Sequence, residues 1–131
     1  MRTIRSARYI KVNTQIFLTP PVNKTTLYKF ENENIRISIE IYFNKENQLI
    51  FDGYDRGKSV KDSWGDSDYE YTYTIEPEEV NKFYPIFNLK DGDRAGLLKS
   101  IQNSFSVNEA YSLFGKFMND NNILYNSFTW S

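Results

Sequence analysis

The clearest pattern in the chain is an alternation of apolar and polar residues from Ile35 to Phe43. Isoleucine fills four of the odd positions, while polar side chains such as Arg36 and Glu40 fill positions between them. Successive side chains of a β-strand point to opposite faces of the sheet. The pattern therefore predicts a strand with one buried and one wetter face, which is typical of antiparallel sheets.

The same two-residue period recurs elsewhere, always bounded by polar or proline-rich turns. Pro20 and Pro21 end the first run, because neither can donate a hydrogen bond to a neighbouring strand. Asn-rich segments at 31–34 and 44–47 favour tight turns. The further predicted strands are residues 10–18, Thr25–Glu31, Gln48–Tyr54, Asp68–Ile75 and Ile123–Trp130.

The period changes from two to about 3.6 residues after Glu76, which predicts helices. Pro77 suits a first helical position, and the acidic residues beside it favour the positive end of a helix dipole. Apolar side chains at Val80, Phe83 and Phe87 follow at helical spacing, and Pro85 predicts an end or kink near residue 84.

Two further helices are predicted from their start signals. The segment Asp91–Asp93 supplies an N-cap for a helix that carries its last apolar residue at Phe105. The sequence Ser106–Glu109 reads as a capping box, in which hydroxyl and carboxylate satisfy backbone donors reciprocally. An apolar stripe then runs to Met118, and Asn119–Asn122 predicts the end of that helix.

Strands that precede the helices, rather than alternate with them, predict an α+β fold. We expect a single domain over residues 1–131, because the length is typical of one domain. The expected architecture is an antiparallel β-meander, two or three C-terminal helices packed on one sheet face, and a final C-terminal strand.

Composition restricts the chemistry available to the chain, because it contains no His and no Cys. Nucleophile–base pairs of the Ser–His and Cys–His kinds are therefore excluded. A phosphate-binding P-loop, a dinucleotide-binding fingerprint and a calcium loop with the usual acid spacing are also absent from the sequence. We predict no catalytic residues, no cofactor and no metal site.

Hydropathy and cysteine usage predict a cytoplasmic location. Three arginines stand near the N-terminus, but Lys11, Asn13 and Gln15 interrupt the apolar run that a signal peptide needs. No segment approaches the roughly 18 apolar residues of a membrane-spanning helix. The absence of Cys is typical of reducing compartments. We expect no membrane partner.

The segment Leu49–Ile75 combines carboxylates with aromatic side chains. Its acids are Asp52, Asp55, Asp62, Asp66, Asp68 and Glu70, and its aromatics include Trp64 and three alternating tyrosines. Tyr69, Tyr71 and Tyr73 either pack under the helices or anchor an interface, because tyrosine suits both positions. Residues 49–131 carry a net charge of −5, which favours attraction of a positively charged partner. Nucleic acid is not expected as a partner, because the sequence pI is about 5.5.

Several segments of residues 49–131 resemble small bacterial proteins that are similar to the immunity proteins of polymorphic toxin systems. The segments that carry the resemblance are Leu49–Gly57, the WGDSDYEY block at Trp64–Tyr71, Pro77–Val80 and Asn122–Trp130. The resemblance implies a single α+β domain that binds and blocks a cognate toxin, and it brings no catalytic residues. It implies partner-binding roles for Asp55, Trp64, Asp66, Asp68 and Glu70, which would either hold the toxin or fix the loop that holds it.

The leading hypothesis is a non-catalytic binding protein that neutralises a cognate protein toxin, of which a nuclease type fits an acidic inhibitor best. One alternative is a small carboxylate-dependent hydrolase or metal-assisted enzyme, which requires two acids facing one pocket. Another is a structural module or homodimer, in which an exposed strand such as Ile123–Trp130 or Tyr9–Leu18 pairs across a two-fold axis.

Overall fold

The computed structural model describes residues 24–57 and 68–130, which form an antiparallel five-stranded sheet and a set of helices. The strands follow one another in space in the order of the sequence, as a meander. Their bounds are Thr25–Glu31 (β1), Ile35–Phe43 (β2), Leu49–Gly57 (β3), Asp68–Ile75 (β4) and Asn126–Trp130 (β5). The predicted α+β class is confirmed, with the last strand at the C-terminal end of the described chain.

The predicted bounds of β1, β2 and β4 are confirmed, and the differences lie in β3 and β5. Strand β3 continues three residues beyond Tyr54 and pairs with β2 as far as Gly57. Strand β5 begins only at Asn126, because the N–H of Ile123 donates to the Met118 carbonyl at 2.9 Å and ties that residue to the preceding helix. The strand predicted for residues 10–18 lies outside the described residues.

Four helical segments lie between β4 and β5, and they are Pro77–Val80 (α1), Phe83–Ile86 (α2), Arg94–Phe105 (α3) and Ala110–Asp120 (α4). The predicted break near residue 84 is wrong, because the chain interrupts its helix at Asn81–Lys82 instead. Pro85 fits inside α2, since the first N–H groups of a helix have no partner within it.

The start of α3 follows its sequence signal, whereas the start of α4 does not. The Asp93 carboxylate accepts a hydrogen bond from the Gly96 N–H at 3.0 Å, as an N-cap should. The predicted capping box at Ser106 is wrong. Ser106 ends α3, where its hydroxyl donates to the Gln102 carbonyl, and Glu109 precedes α4 without a capping hydrogen bond from its side chain.

The core lies between α3, α4 and one face of the sheet. Phe114 of α4 is fully buried and stacks on Phe51 of β3 at a ring-centroid distance of 5.1 Å. Phe83 also stacks on Phe114, at a ring-centroid distance of 5.8 Å, and Phe105 meets Phe114 edge-on at 5.3 Å. Large aromatic rings therefore supply the buried apolar area that the modest apolar fraction of the sequence does not suggest.

Strand register divides the sheet residues between two faces, since directly opposed residues of an antiparallel pair share a face. The helix-side face contains Phe51 with its partners Ile41 and Tyr73. The open face contains the residues between them, such as Asp52 with its partners Glu40 and Thr72.

No helix within residues 24–57 and 68–130 combines the length and the apolar character that crossing a membrane requires.

Candidate protein-binding surface

The acids predicted to bind a partner are divided between the two faces of the sheet. Asp55 pairs with Ile37 on one side and with Tyr69 on the other, which places it on the helix-side face. Asp68 and Glu70 lie two residues apart on β4 and share the open face. Trp64 and Asp66 lie outside the described residues. The described acids of this group therefore do not form one continuous surface.

Asp55 makes an internal contact with a buried tyrosine. The ring of Tyr71 lies directly over Gly53, where no side chain competes for the space. Its hydroxyl donates a hydrogen bond to Asp55 Oδ1 at 2.8 Å. Burial raises the pKa of Tyr71, and the hydrogen bond to Asp55 and its charge raise it further. This geometry gives Asp55 a positioning role within the fold.

Asp68 lies on the open face next to positive charge. Its carboxylate is 3.7 Å from Arg56 Nε, and the two residues are directly opposed on β4 and β3. Partial burial raises the pKa of Tyr54, and a hydrogen bond to Asp68 raises it further. Asp68 thus belongs to a local, solvent-exposed ion pair with Arg56.

Glu70 is exposed and is directly opposed by Tyr54 on β3 and by Trp130 on β5. Its side chain makes no ion pair or hydrogen bond with any residue of the described ranges. An exposed carboxylate between two aromatic side chains is free to meet a cation or a hydrogen-bond donor of another molecule. Of the three described candidates, Glu70 has the placement that partner binding requires.

Two large aromatic side chains continue this surface along β5. Phe128 is 59% exposed and Trp130 is 49% exposed, and they occupy successive open-face positions of the strand. Sequence reasoning did not single them out as binding residues. The sequence feature that could have indicated Phe128 and Trp130 is the alternation within Asn126–Trp130. That alternation is equally consistent with a strand whose aromatic side is buried. The structure instead turns that side away from the helices.

A second group of acids lies at the other end of β5. Glu76, Glu78 and Glu79 line a cavity of about 260 Å³ together with Thr74, Leu124, Tyr125 and Asn126. Leu124 is 69% exposed at its rim. The hydrogen bond from the Leu124 N–H and the contact with Lys82 hold the pKa of Glu79 below its usual range. Glu78 is exposed to solvent.

Together these residues form a band along the β4–β5 margin of the open face, with aromatic side chains in the middle and carboxylates at both ends. We call this band the acidic–aromatic strip. Its members are Glu70, Glu76, Glu78, Leu124, Phe128 and Trp130. Aromatic residues are enriched at the centres of protein interfaces, and charged residues at their rims. The strip has that arrangement.

The three alternating tyrosines of β4 divide between the core and the solvent-exposed surface. Tyr71 and Tyr73 are buried on the helix-side face, each 6% exposed. The Tyr73 hydroxyl donates to the Tyr111 carbonyl at 3.0 Å, and the two rings stack with centroids 4.2 Å apart. Tyr69 is 41% exposed at the margin of the same face. Two tyrosines therefore belong to the core, and one contacts solvent.

Residues 24–57 and 68–130 contain no group of three or more His, Cys, Asp or Glu side chains that could hold a metal ion.

The buried tyrosines predict a loss of stability at alkaline pH. Burial raises the pKa of Tyr71, Tyr73 and Tyr111 above the ordinary value of about 10, because the folded state disfavours phenolate. Protonated tyrosines therefore stabilise the fold fully below about pH 10, and this contribution is lost as the pH rises toward the folded-state values. The urea midpoint should fall from about pH 10 upward, and tyrosinate absorbance should rise in the same range as unfolding.

A Tyr71→Phe variant controls for the loss of lysine charge in the same pH range. It should be less stable at neutral pH but should show a shallower decline above about pH 10. A urea midpoint that stays constant across this range, or an equally steep decline in the variant, would contradict the explanation.

The chain matches no protein-family model, no curated protein and no solved structure. The resemblance to immunity proteins stays a prediction.

Proposed function

We propose that the protein is a non-catalytic, cytoplasmic binding protein that uses the acidic–aromatic strip to hold a basic protein partner. We further propose that the partner is a cognate bacterial toxin and that the protein acts as its immunity protein. The observation that carries the proposal is the row of Phe128 and Trp130 on the open face, both about half exposed, with the exposed Glu70 directly opposite Trp130. The likeness of Leu49–Gly57 and Asn122–Trp130 to immunity proteins supports the choice of partner.

The two kinds of side chain in the strip have different roles in this proposal. Trp130 and Phe128 supply large contact area at a small cost in conformational entropy, so they serve as anchors. Glu70, Glu76 and Glu78 supply negative charge, which accelerates encounter with a basic surface and disfavours acidic competitors. Neither role needs a reactive group, which is consistent with a chain that contains no His and no Cys.

Neutralisation in this proposal is steric. A nuclease-type toxin has a basic cleft because its substrate is polyanionic, and carboxylates can replace the phosphates in such a cleft. The strip carries acids at both of its ends, so it can pair with positive groups along an extended cleft. Covering the cleft excludes the substrate from it.

The test is a binding measurement with the product of the adjacent gene, co-expressed and purified with this protein. Trp130→Ala should weaken the complex by about 30-fold or more, as expected for a central aromatic anchor. Glu70→Lys should slow association, and the salt dependence of the association rate should decrease with it. Isothermal titration and stopped-flow fluorescence measure the two effects separately.

Two variants on other surfaces serve as matched controls. Glu33→Lys makes the same charge reversal in the exposed turn between β1 and β2, at the opposite edge of the sheet. Leu113→Ala removes a comparably exposed apolar side chain from α4. Both should leave the affinity within about threefold of the native value, as peripheral residues do. A complex that tolerates Trp130→Ala and Glu70→Lys as well as it tolerates the controls would refute the proposed surface.

A further inference from the structure

The two edges of the sheet formed by the described residues differ in how they are protected. Edge strands present unpaired backbone groups, and natural proteins guard them with charges, prolines, bulges or covering segments. Strand β1 has three such features. Its register shifts between Thr26 and Tyr28, it carries charged residues at Lys29 and Glu31, and the Gln102 side chain of α3 donates to the Thr26 carbonyl at 3.0 Å.

Strand β5 forms the other edge, and residues 24–57 and 68–130 give it none of these protections. Its sequence, Asn-Ser-Phe-Thr-Trp, contains no charged residue and no proline. Its pairing with β4 runs without a bulge, and all five of its residues are exposed. A straight, uncharged, exposed edge with aromatic side chains is a template for pairing with another strand.

We propose that two copies of this chain associate through β5, as antiparallel edge strands related by a two-fold axis. A second copy fits this edge because β5 is uncharged, so a two-fold axis brings no like charges into opposition. Isologous contacts of this kind are the commonest basis of homodimers. The two sheets then continue into one another across the axis.

The length of β5 fixes the register of this pairing. All five residues find partners only if the two-fold axis passes beside Phe128, the middle residue. Phe128 is then opposed by its own copy, Ser127 by Thr129, and Asn126 by Trp130. Aromatic cross-strand pairs and hydroxyl pairs are both favourable in antiparallel sheets. This register brings the aromatic side chains of the two copies together on the open face and their hydroxyl side chains together on the helix-side face.

Edge pairing joins the strands in the plane of the sheet and leaves the open face accessible. The acidic–aromatic strips of the two copies become neighbours, and Phe128 and Trp130 of both copies lie side by side along the dimer interface. The dimer therefore goes beyond the proposed function without competing for its surface, and it enlarges the platform available to a partner.

The proposal is tested by the mass of the purified full-length protein in solution, measured by sedimentation velocity over a concentration series. The native chain should approach twice the mass of one chain. Ser127→Lys/Thr129→Lys places a lysine opposite a lysine twice across the axis and should raise the dimer dissociation constant by at least about tenfold. Both positions are exposed and lie outside the strip, so the fold should be retained, which circular dichroism checks.

A charge-complementary pair of variants separates pairing at β5 from a general effect of charge. Ser127→Glu/Thr129→Glu should also be monomeric alone, but its mixture with the double-lysine variant should form a heterodimer. Asn103→Lys/Ser104→Lys makes the same charge change on the exposed surface of α3 and should stay dimeric. These outcomes together support the proposal.

Single cysteines then test the register, because the native chain contains none. Phe128→Cys should form a covalent dimer on mild oxidation. Ser127→Cys and Thr129→Cys should cross-link with each other far more than either does with itself. A monomeric native protein, a double-lysine variant that remains dimeric, or cross-linking that ignores this register would overturn the proposal.

Discussion

Replacing Phe114 with alanine should lower the free energy of unfolding by about 3–5 kcal/mol, which is the largest effect we expect from a single side chain. Phe114 is fully buried and has ring contacts from three directions. It stacks on Phe51 at 5.1 Å and on Phe83 at 5.8 Å, and it meets Phe105 edge-on at 5.3 Å. Truncation removes its apolar area and leaves a cavity that surrounding rings fill poorly.

Such a loss is large relative to the roughly 5–15 kcal/mol that keeps a domain folded. Urea unfolding followed by circular dichroism measures it, provided that the slope of the transition is unchanged. The matched control is Leu113→Ala, because Leu113 is the preceding residue of α4 and is 43% exposed. That variant should lose less than about 1 kcal/mol. Similar losses for both variants would mean that α4 does not pack on the sheet through Phe114.

The fold was predictable because hydrophobic period reports which face of an element is buried. The alternation at Ile35–Phe43 predicted β2 to the residue, and the isoleucines Ile37, Ile39 and Ile41 are buried, as the pattern requires. The helical stripe ending at Met118 matches the buried side of α4 in part: Ala110, Phe114 and Met118 are buried, whereas Leu113 of the same stripe is exposed. Local pattern suffices where one side of an element is consistently apolar.

Local motifs failed where two structures compete for the same residues. Ser106 stands one residue after α3 and four residues before α4, so its hydroxyl can serve either helix. It donates to the Gln102 carbonyl, and this choice removes it from the predicted capping box. Sequence spacing alone does not decide between a side chain that ends one helix and a side chain that begins the next.

The candidate site was only partly predictable, because faces and edges are tertiary properties. Asp55 was assigned to a loop, since the predicted strand stopped at Tyr54. Strand β3 continues, and the odd position of Asp55 therefore places it beside Phe51 and Gly53 on the helix-side face. The exposure of Phe128 and Trp130 depends on β5 being an edge, and strand order is not encoded in the pattern of β5 itself.

The second large effect is expected at Gly53, where an added methyl group should cost about 2–4 kcal/mol of folding free energy. A Cβ atom added to Gly53 would overlap the Tyr71 ring at Cε2, far inside van der Waals contact. The ring therefore has to leave its position over the strand. Its displacement also breaks the 2.8 Å hydrogen bond to Asp55 and disturbs the edge contact with Tyr111 at 4.9 Å.

A double-mutant cycle identifies the cause of this loss. In a Tyr71→Val background the ring is absent, so Gly53→Ala should be neutral or should stabilise the protein by up to about 1 kcal/mol, because alanine restricts the unfolded chain more than glycine does. The sign of the effect should therefore reverse between the two backgrounds, as measured by urea unfolding. An equal cost in both backgrounds would show that Gly53 is required for backbone conformation, and the contact with Tyr71 would then be incidental. A sign reversal would instead show that the cost at Gly53 arises from its contact with Tyr71, the residue whose hydroxyl donates to Asp55. Asp55 thus has a partner inside the fold, whereas Glu70 is the exposed acid of the predicted group among the described residues.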